Sequence, residues 1–306
     1  MVYVVIFLAL LAVLPVALEA LRKPIDKEAR GFESGEVADL RHGATFCEWH
    51  GPRSDRVIVL IHGLTTPSWV FDGLTRGLAM MGFQILTYDL YGRGWSDRPR
   101  GTQDMAFHLS QLSALLSDQE VEAPVTLMGY SMGGMIATQF AARHPEFVEA
   151  LILLAPAGID ITPPRTLAFC AKAGPIGTWF WGLIGGFGLA LSARGERKPA
   201  SVISDYAARM RSETRKRGFL RAVLSSFRAT LGGVQEQEHR EIANLPIKVL
   251  AIWGENDEVI PKTAMGKLTQ WNRHARHHMI AGVGHGLPHT APNDVIGAIN
   301  AFDQNY

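Results

Sequence analysis

The chain has 306 residues, 47% of them hydrophobic and 19% charged, with a formal net charge of +1. That is enough apolar material for one large core or two smaller domains, and the balanced charge offers no global field for nucleic acid and no acidic tail. Cys47 and Cys170, the two cysteines, lie in no CxxC pattern, which excludes a disulfide framework and a cysteine-only zinc site; one bridge or, by preference, two free thiols are left.

Residues 1–21 form the first segment. Val2–Leu18 reads VYVVIFLALLAVLPVAL, with no charge before Glu19, near the shortest length that spans a bilayer. Three readings compete. A cleaved signal peptide needs a basic start and a small-x-small cleavage site; Met1-Val2-Tyr3 supplies no basic residue and Ala17-Leu18-Glu19-Ala20 fits poorly. A signal anchor fits better, because Arg22, Lys23, Lys27 and Arg30 flank its C-terminal side, the side that stays cytoplasmic by the positive-inside tendency. Pro15 is compatible with a span. A buried core helix is the third reading. The expectation is a membrane anchor with the following domain in the cytoplasm; secretion or periplasmic release after cleavage is the alternative.

Residues 22–43 hold a linker, polar over 24–35, and a first strand. In 44–156 and again in 245–306, short apolar runs alternate with helical patterns. Ala44–Trp49 alternates like a half-exposed strand. Val57–Ile61, Gln84–Tyr88, Val125–Met128, Leu151–Leu154 and Ile247–Ile252 are continuous apolar runs, as in strands covered on both faces; His277–Ile280 is a weaker candidate. Val70–Met81, Asp104–Leu116, Met132–Arg143 and Pro292–Phe302 carry helical spacing. Such alternation predicts an α/β fold, a mostly parallel central sheet with helices on both faces. It breaks over 157–244, where Pro163-Pro164, the apolar stretch Trp179–Phe187 and a basic helical pattern over Arg209–Arg221 replace strands. This segment is expected to be an α-helical cap that gates the site, with Trp179–Phe187 packing the cap or lining a pocket for an acyl chain.

GYSMGG, Gly129–Gly134, sits where the run Val125–Met128 meets the helix from Met132. A turn that sharp holds its central residue at positive φ, and Gly129 and Gly133 at the second neighbours relieve the crowding. The geometry lifts the Ser131 hydroxyl above the sheet at the positive end of a helix dipole. A serine nucleophile needs a base and the base needs a carboxylate. His285, in Gly282–Gly286, follows the last candidate strand, and Asp257, in WGENDEVIP, follows Ile247–Ile252. All three then stand on the C-terminal edge where open α/β sheets build sites. The backbone N–H groups of Met132 and of Leu64, in the loop His62-Gly63-Leu64-Thr65, are the expected oxyanion donors, with Gly63 allowing the close turn.

The segments IHG (61–63), YDLYGRGWSDRP (88–99), MGYSMGG (128–134), WGENDEVIP (253–261) and GVGHG (282–286) resemble the α/β-hydrolase superfamily in its cap-bearing serine hydrolase branch, over about residues 44–304. Within it the pattern is similar to monoacylglycerol lipases and carboxylesterases with an N-terminal membrane anchor. Aspartate-nucleophile members, haloalkane dehalogenases and epoxide hydrolases, are disfavoured because Ser131 holds that place. The resemblance implies Ser131, Asp257 and His285 as a triad, and hydrolysis of an acyl ester of small-molecule or lipid type, such as a monoacylglycerol, without metal or organic cofactor. C–C bond hydrolysis, cofactor-free perhydrolysis and a catalytically silent binding protein are the alternatives.

Plainer roles stand beside each pick. Ser131 could be an ordinary helix N-cap. His289 rivals His285, and Asp160, after the strand preceding the insertion, rivals Asp257. His62 is expected to be a structural hydrogen-bonder. His274, His277 and His278 lack an acidic or cysteine partner and are read as a solvated turn rather than a metal site. Arg209, Arg211, Arg215, Lys216, Arg217 and Arg221 are read as a solvated helix face, with contact to anionic lipid as the second option.

Overall fold

Val57–Ile61 and Val125–Tyr130, the most continuously apolar runs, form neighbouring buried strands. Unbroken Val, Ile and Leu suits a strand with both faces covered. They lie inside an eight-stranded sheet in a computed structural model that describes residues 1–25, 34–122, 124–195 and 200–304. Lys27, Arg30 and most of the expected linker lie outside the described residues.

In chain order the elements are helix α1 (Val2–Ala20), strands β1 (Glu36–Leu40), β2 (Gly43–His50) and β3 (Val57–Ile61), α2 (Asp72–Met80), β4 (Gln84–Tyr88), α3 (Met105–Asp118), β5 (Val125–Tyr130), α4 (Met132–Arg143) and β6 (Val148–Leu154). Then come α5 (Arg165–Lys172), α6 (Gly174–Ser192), α7 (Tyr206–Thr214), α8 (Phe219–Ala229), α9 (Glu236–Ile242), β7 (Lys248–Gly254), α10 (Thr263–Trp271), β8 (Arg276–Ile280), α11 (Leu287–Thr290) and α12 (Pro292–Asp303). The strand order is β1-β2-β4-β3-β5-β6-β7-β8. β1–β2 and β2–β4 pair antiparallel and the remainder pair parallel. Helices α2, α11 and α12 pack together, and α3, α4, α9 and α10 form a second row. The sheet is therefore sandwiched between helices, and its one large core contains the parallel strands.

Register aligns the C-terminal ends. Ile61 stands beside Gly129, Tyr130 beside Leu154, Leu154 beside Ile252, and Gly254 beside Ile280. Loops leaving β3, β5, β7 and β8 consequently open on one edge.

Between β6 and β7 the described chain is helical. Leu167, Cys170, Trp181, Phe219, Leu220, Val223 and Leu224 make a separate small core beneath α5, α6 and α8, while α9 packs on α4 and α10. The basic pattern over 209–221 is not one helix: it breaks between Thr214 and Phe219 at Gly218, whose φ is +85°. Nor is it a uniformly solvated face. Lys216 is buried against Glu213 and over the Trp95 ring, and Arg209 bonds Asp72 and Asp205.

The core-helix reading of α1 fails: Pro15 alone of its residues is buried. Over its span the mean hydropathy is 2.6, and among the described residues it alone is long and apolar enough to cross a membrane. Its C-terminal end is fastened to the helices between β6 and β7. Lys23 N–H donates to Arg215 O at 3.0 Å and Arg217 N–H to Lys23 O at 2.8 Å, while Trp179 Nε1 donates to Leu11 O at 3.0 Å. Cys47 and Cys170 are free, buried thiols; burial pushes Cys47 up to about 12.

Candidate active site

Ser131 begins α4 with φ 53° and ψ −116°, a backbone state that costs roughly 1–3 kcal/mol outside glycine. Its amide donates to Leu154 O at 2.9 Å, and its carbonyl accepts from Gly134 and Ala157 at 2.9 and 3.1 Å. These bonds hold the strained turn. A Cβ at Gly133 would lie 1.9 Å from Ile61 O, and one at Gly129 would lie 2.3 Å from Gly133 O. Strand, turn and helix close only with both glycines. Gly63 differs: a Cβ there would sit 3.4 Å from the Ser131 Cβ, an ordinary contact, so this glycine keeps space open over the serine more than it relieves strain.

His285 follows β8 and Asp257 follows β7. His285 Nε2 lies 3.0 Å from Ser131 Oγ, and its Nδ1 lies 2.8 Å from Asp257 Oδ2. The Asp257 side chain is only 2% exposed, and its Oδ1 accepts the Val259 and Ile260 amides, each at 2.8 Å. Those two bonds fix the carboxylate and turn its other oxygen toward the imidazole. Tyr130 Oη donates to His285 O at 3.0 Å, so the histidine is held at backbone and side chain alike.

The rival residues stand elsewhere. Asp160 accepts from Lys267 and Thr263 at 2.7 and 2.9 Å, and the Lys267 ammonium holds its carboxyl below the ordinary range. His289 stacks on Tyr206 at 4.4 Å and contacts Ser201 Oγ at 3.1 Å. The residues His277 and His278 belong to β8, not to a turn. Trp253 Nε1 donates to His277 Nδ1 at 3.1 Å, and burial lowers that ring's pKa. Among the described residues no group of three His, Cys, Asp or Glu is placed to hold a metal.

Among the described residues, no hydrogen bond occupies the amides of Met132 or Leu64. Leu64 lines the cavity over Ser131, and Met132 directly follows Ser131 as the first residue of α4. His62 organises the Leu64 loop. Leu90 N–H donates to its Nε2 at 2.8 Å, so Nδ1 must carry the proton, donated to Gly63 O at 2.8 Å. Burial lowers its pKa to about 4, which keeps this ring neutral and in one tautomer.

Arg93, unmarked in the sequence reading, completes the support. It is fully buried without a carboxylate partner among the described residues. Its guanidinium donates to Leu64 O at 3.0 Å, Tyr91 O at 2.9 Å, Gln103 Oε1 at 2.6 Å and Ser226 Oγ at 2.9 Å. It therefore ties the Leu64 loop to α8. Burial, with Arg98 nearby, lowers its pKa to about 9, so it remains a cation at neutral pH. An arginine between two glycines in Tyr91-Gly92-Arg93-Gly94 was the available sequence signal, but Leu64 and Ser226, which it joins, lie 29 and 133 residues away.

A cavity of about 420 Å³ opens over Ser131 and His285. Leu167, Leu189, Phe227 and Leu231 line it on the side of the inserted helices. Trp179–Phe187 does not line it: Trp181 sits in the small core and donates to Leu220 O at 2.9 Å, while Phe187 is exposed.

Three buried histidines make an acid prediction. Burial lowers His62 and His239 from 6.5 to about 4, and His108 well below 6.5. Each therefore binds a proton more readily when unfolded. Stability from these groups is complete above pH 6.5 and is lost as pH falls toward 4, with a slope reaching about 4 kcal/mol per pH unit. Thermal unfolding in detergent should show the midpoint dropping steeply across this window; a flat midpoint would contradict it.

The strand order, the turn at Ser131 and the shared C-terminal edge define an α/β-hydrolase. The chain belongs to the hydrolase family described as serine aminopeptidase, S33, whose model matches residues 52–290. It is 35% identical over 125 residues to an uncharacterized protein of Mycobacterium tuberculosis, covering 41% of this chain and 36% of the relative; it thus spans about a third of that relative's length. It is 29% identical over 260 residues to the cis-3-alkyl-4-alkyloxetan-2-one decarboxylase of Shewanella oneidensis, covering 80% of this chain and 81% of the relative. Among solved structures, the enol-lactonase of Burkholderia xenovorans superposes with a TM-score of 0.72 at 21% identity, over 88% of this chain and 100% of that one, which speaks for the fold.

Proposed function

We propose that the chain is a serine hydrolase that cleaves carboxylic esters through an acyl-enzyme on Ser131. The observation that carries this is the continuous Oγ···Nε2 and Nδ1···Oδ2 contact chain at 3.0 and 2.8 Å, with the Leu64 and Met132 amides unoccupied among the described residues. His285 removes the hydroxyl proton as Ser131 attacks the ester carbonyl. Asp257 orients the ring and stabilises the imidazolium, and the Leu64 and Met132 N–H groups receive the oxyanion. His285 returns the proton to the leaving alcohol, then activates water to release the acid. Each proton and charge has a protein group to receive it, so the scheme needs no metal or organic cofactor.

The proposed substrate is a lipid ester such as a monoacylglycerol. The inserted segment 157–244 acts as the cap: α6 contributes Leu189 and Ser192 to the cavity and also packs on α1. In this reading α1 anchors the chain, with Arg22 and Lys23 marking the cytoplasmic side; a protein released after cleavage of the segment is the alternative. A second chemistry has support from the Shewanella relative, whose name describes decarboxylation of an oxetan-2-one, a cyclic ester. A lactone carbonyl would meet the same serine and amides.

A chain-length series tests the substrate class. With the full chain in detergent micelles, kcat/KM should rise from acetyl to long-chain monoacylglycerols. Activity on short soluble esters or lactones far above that on long chains would contradict the lipid reading.

A further inference from the structure

Where α1 ends, a groove of about 610 Å³ runs between it, α6 and α7. Leu18, Leu21, Phe187 and Leu191 give it apolar walls, and the last three expose much of their surface. Arg22, Lys23, Arg194, Arg211 and Arg215 line the rest, and among the described residues no carboxylate does. Glu19 lies beside the groove and pairs with Arg22 at 3.0 Å, while Arg22 also donates to Thr214 O. Among the described residues, Lys23, Arg194, Arg211 and Arg215 have no acidic partner. Arg211 Nε is buried without a hydrogen-bond partner among the described residues. Arg209, on the same helix α7, is a useful contrast: it bonds Asp72 at 2.7 Å and Asp205 at 3.0 Å. The arginine that reaches α2 is neutralised by two surface carboxylates, and those turned toward α1 meet none among the described residues.

Four cations without an acidic partner among the described residues, held around one concavity, repel one another unless an anion enters. The groove's position fits the anion. Nineteen residues of α1 rise about 28 Å, close to the hydrocarbon thickness of a bilayer. Arg22 and Lys23 then lie at the headgroup level, with Leu18 and Phe187 beside them toward the acyl chains. We infer that this groove binds one anionic phospholipid of the surrounding bilayer, its phosphate among Lys23, Arg194, Arg211 and Arg215 and its acyl chains along α1 and α6. The site is separate from the Ser131 cavity and rests on the reading of α1 as a membrane span.

The full chain in detergent is mixed with phosphatidylglycerol, phosphatidylcholine or glycerol phosphate, and retained ligand is read by native mass spectrometry. Phosphatidylglycerol should be retained one per chain, and the zwitterionic lipid and the soluble phosphate should not. Arg194→Gln with Arg215→Gln, both at exposed positions, should weaken retention about 25-fold, from roughly fivefold per basic residue near a membrane surface. Arg209→Gln should leave retention unchanged. Hydrolysis of a soluble ester by each variant reports that it is folded. If the double variant fails this check, Lys23→Gln alone should give about a fivefold loss. Equal retention of phosphatidylcholine, equal retention by the charge-depleted variants, or retention of glycerol phosphate as strong as that of the lipid would each overturn the site. Liposome flotation separates this from the underlying reading. A chain that floats but does not select the anionic lipid refutes the groove alone, whereas one that does not float refutes the span as well.

Discussion

Replacing Ser131 by alanine is expected to lower kcat for ester hydrolysis about 10⁶-fold, the scale seen when a nucleophile is removed from a unit that acts together. The expectation follows from position. Ser131 Oγ is the group that faces His285 Nε2 at 3.0 Å, and its backbone is held by bonds to Leu154, Gly134 and Ala157 that do not involve the hydroxyl. Alanine keeps those bonds and the turn, so the thermal midpoint should barely move. Loss of activity with retained stability assigns chemistry to the hydroxyl; loss of both would mean that the substitution disrupted the fold. Retained turnover on the folded variant would remove Ser131 from the mechanism.

The second large effect separates two candidate acids. Asp257→Asn should lower kcat about 10⁴-fold, while Asp160→Asn should leave it unchanged. At Asp257 one oxygen accepts two amides, from Val259 and Ile260. An asparagine there must turn its carbonyl oxygen to those amides and its NH₂ toward His285 Nδ1. That donor forces Nδ1 to become the acceptor and places the ring proton on Nε2, facing Ser131, where it cannot accept the hydroxyl proton. Asp160 is tied to Lys267 and Thr263 on an exposed surface, and losing such a pair costs about 1 kcal/mol or less. Steady-state kinetics on both variants decides. If the Asp160 variant loses activity and the Asp257 variant keeps it, the acid has been misassigned.

Much of this was legible in the sequence because the informative residues follow strong local signals. Val57–Ile61 and Val125–Met128 could be read as covered strands, and Ser131, Asp257 and His285 each follow a strand run within a glycine-bearing loop. Chain order plus a parallel sheet was enough to predict one shared edge. What stayed hidden depends on partners chosen in three dimensions. His62 was expected to be structural, but its single tautomer is dictated by Leu90, twenty-eight residues on. Arg93 reads as a loop arginine until α8 supplies Ser226. The basic residues of 209–221 looked alike in sequence, yet packing sorts them. Lys216 is buried against Glu213, Arg209 bonds two aspartates, and Arg211 turns toward α1. Hydrophobicity likewise marked Trp179–Phe187 without saying which side of α6 meets the cavity. Leu189 and Ser192, just beyond that stretch, do so.

The most direct measurement is covalent labelling of the full chain with a fluorophosphonate, followed by peptide mapping. A serine activated by His285 and flanked by vacant amides should carry one adduct, on the peptide containing Ser131, and the Ser131→Ala chain should carry none. An unlabelled wild-type chain, or an adduct on another residue, would contradict the account and favour a binding role for this fold.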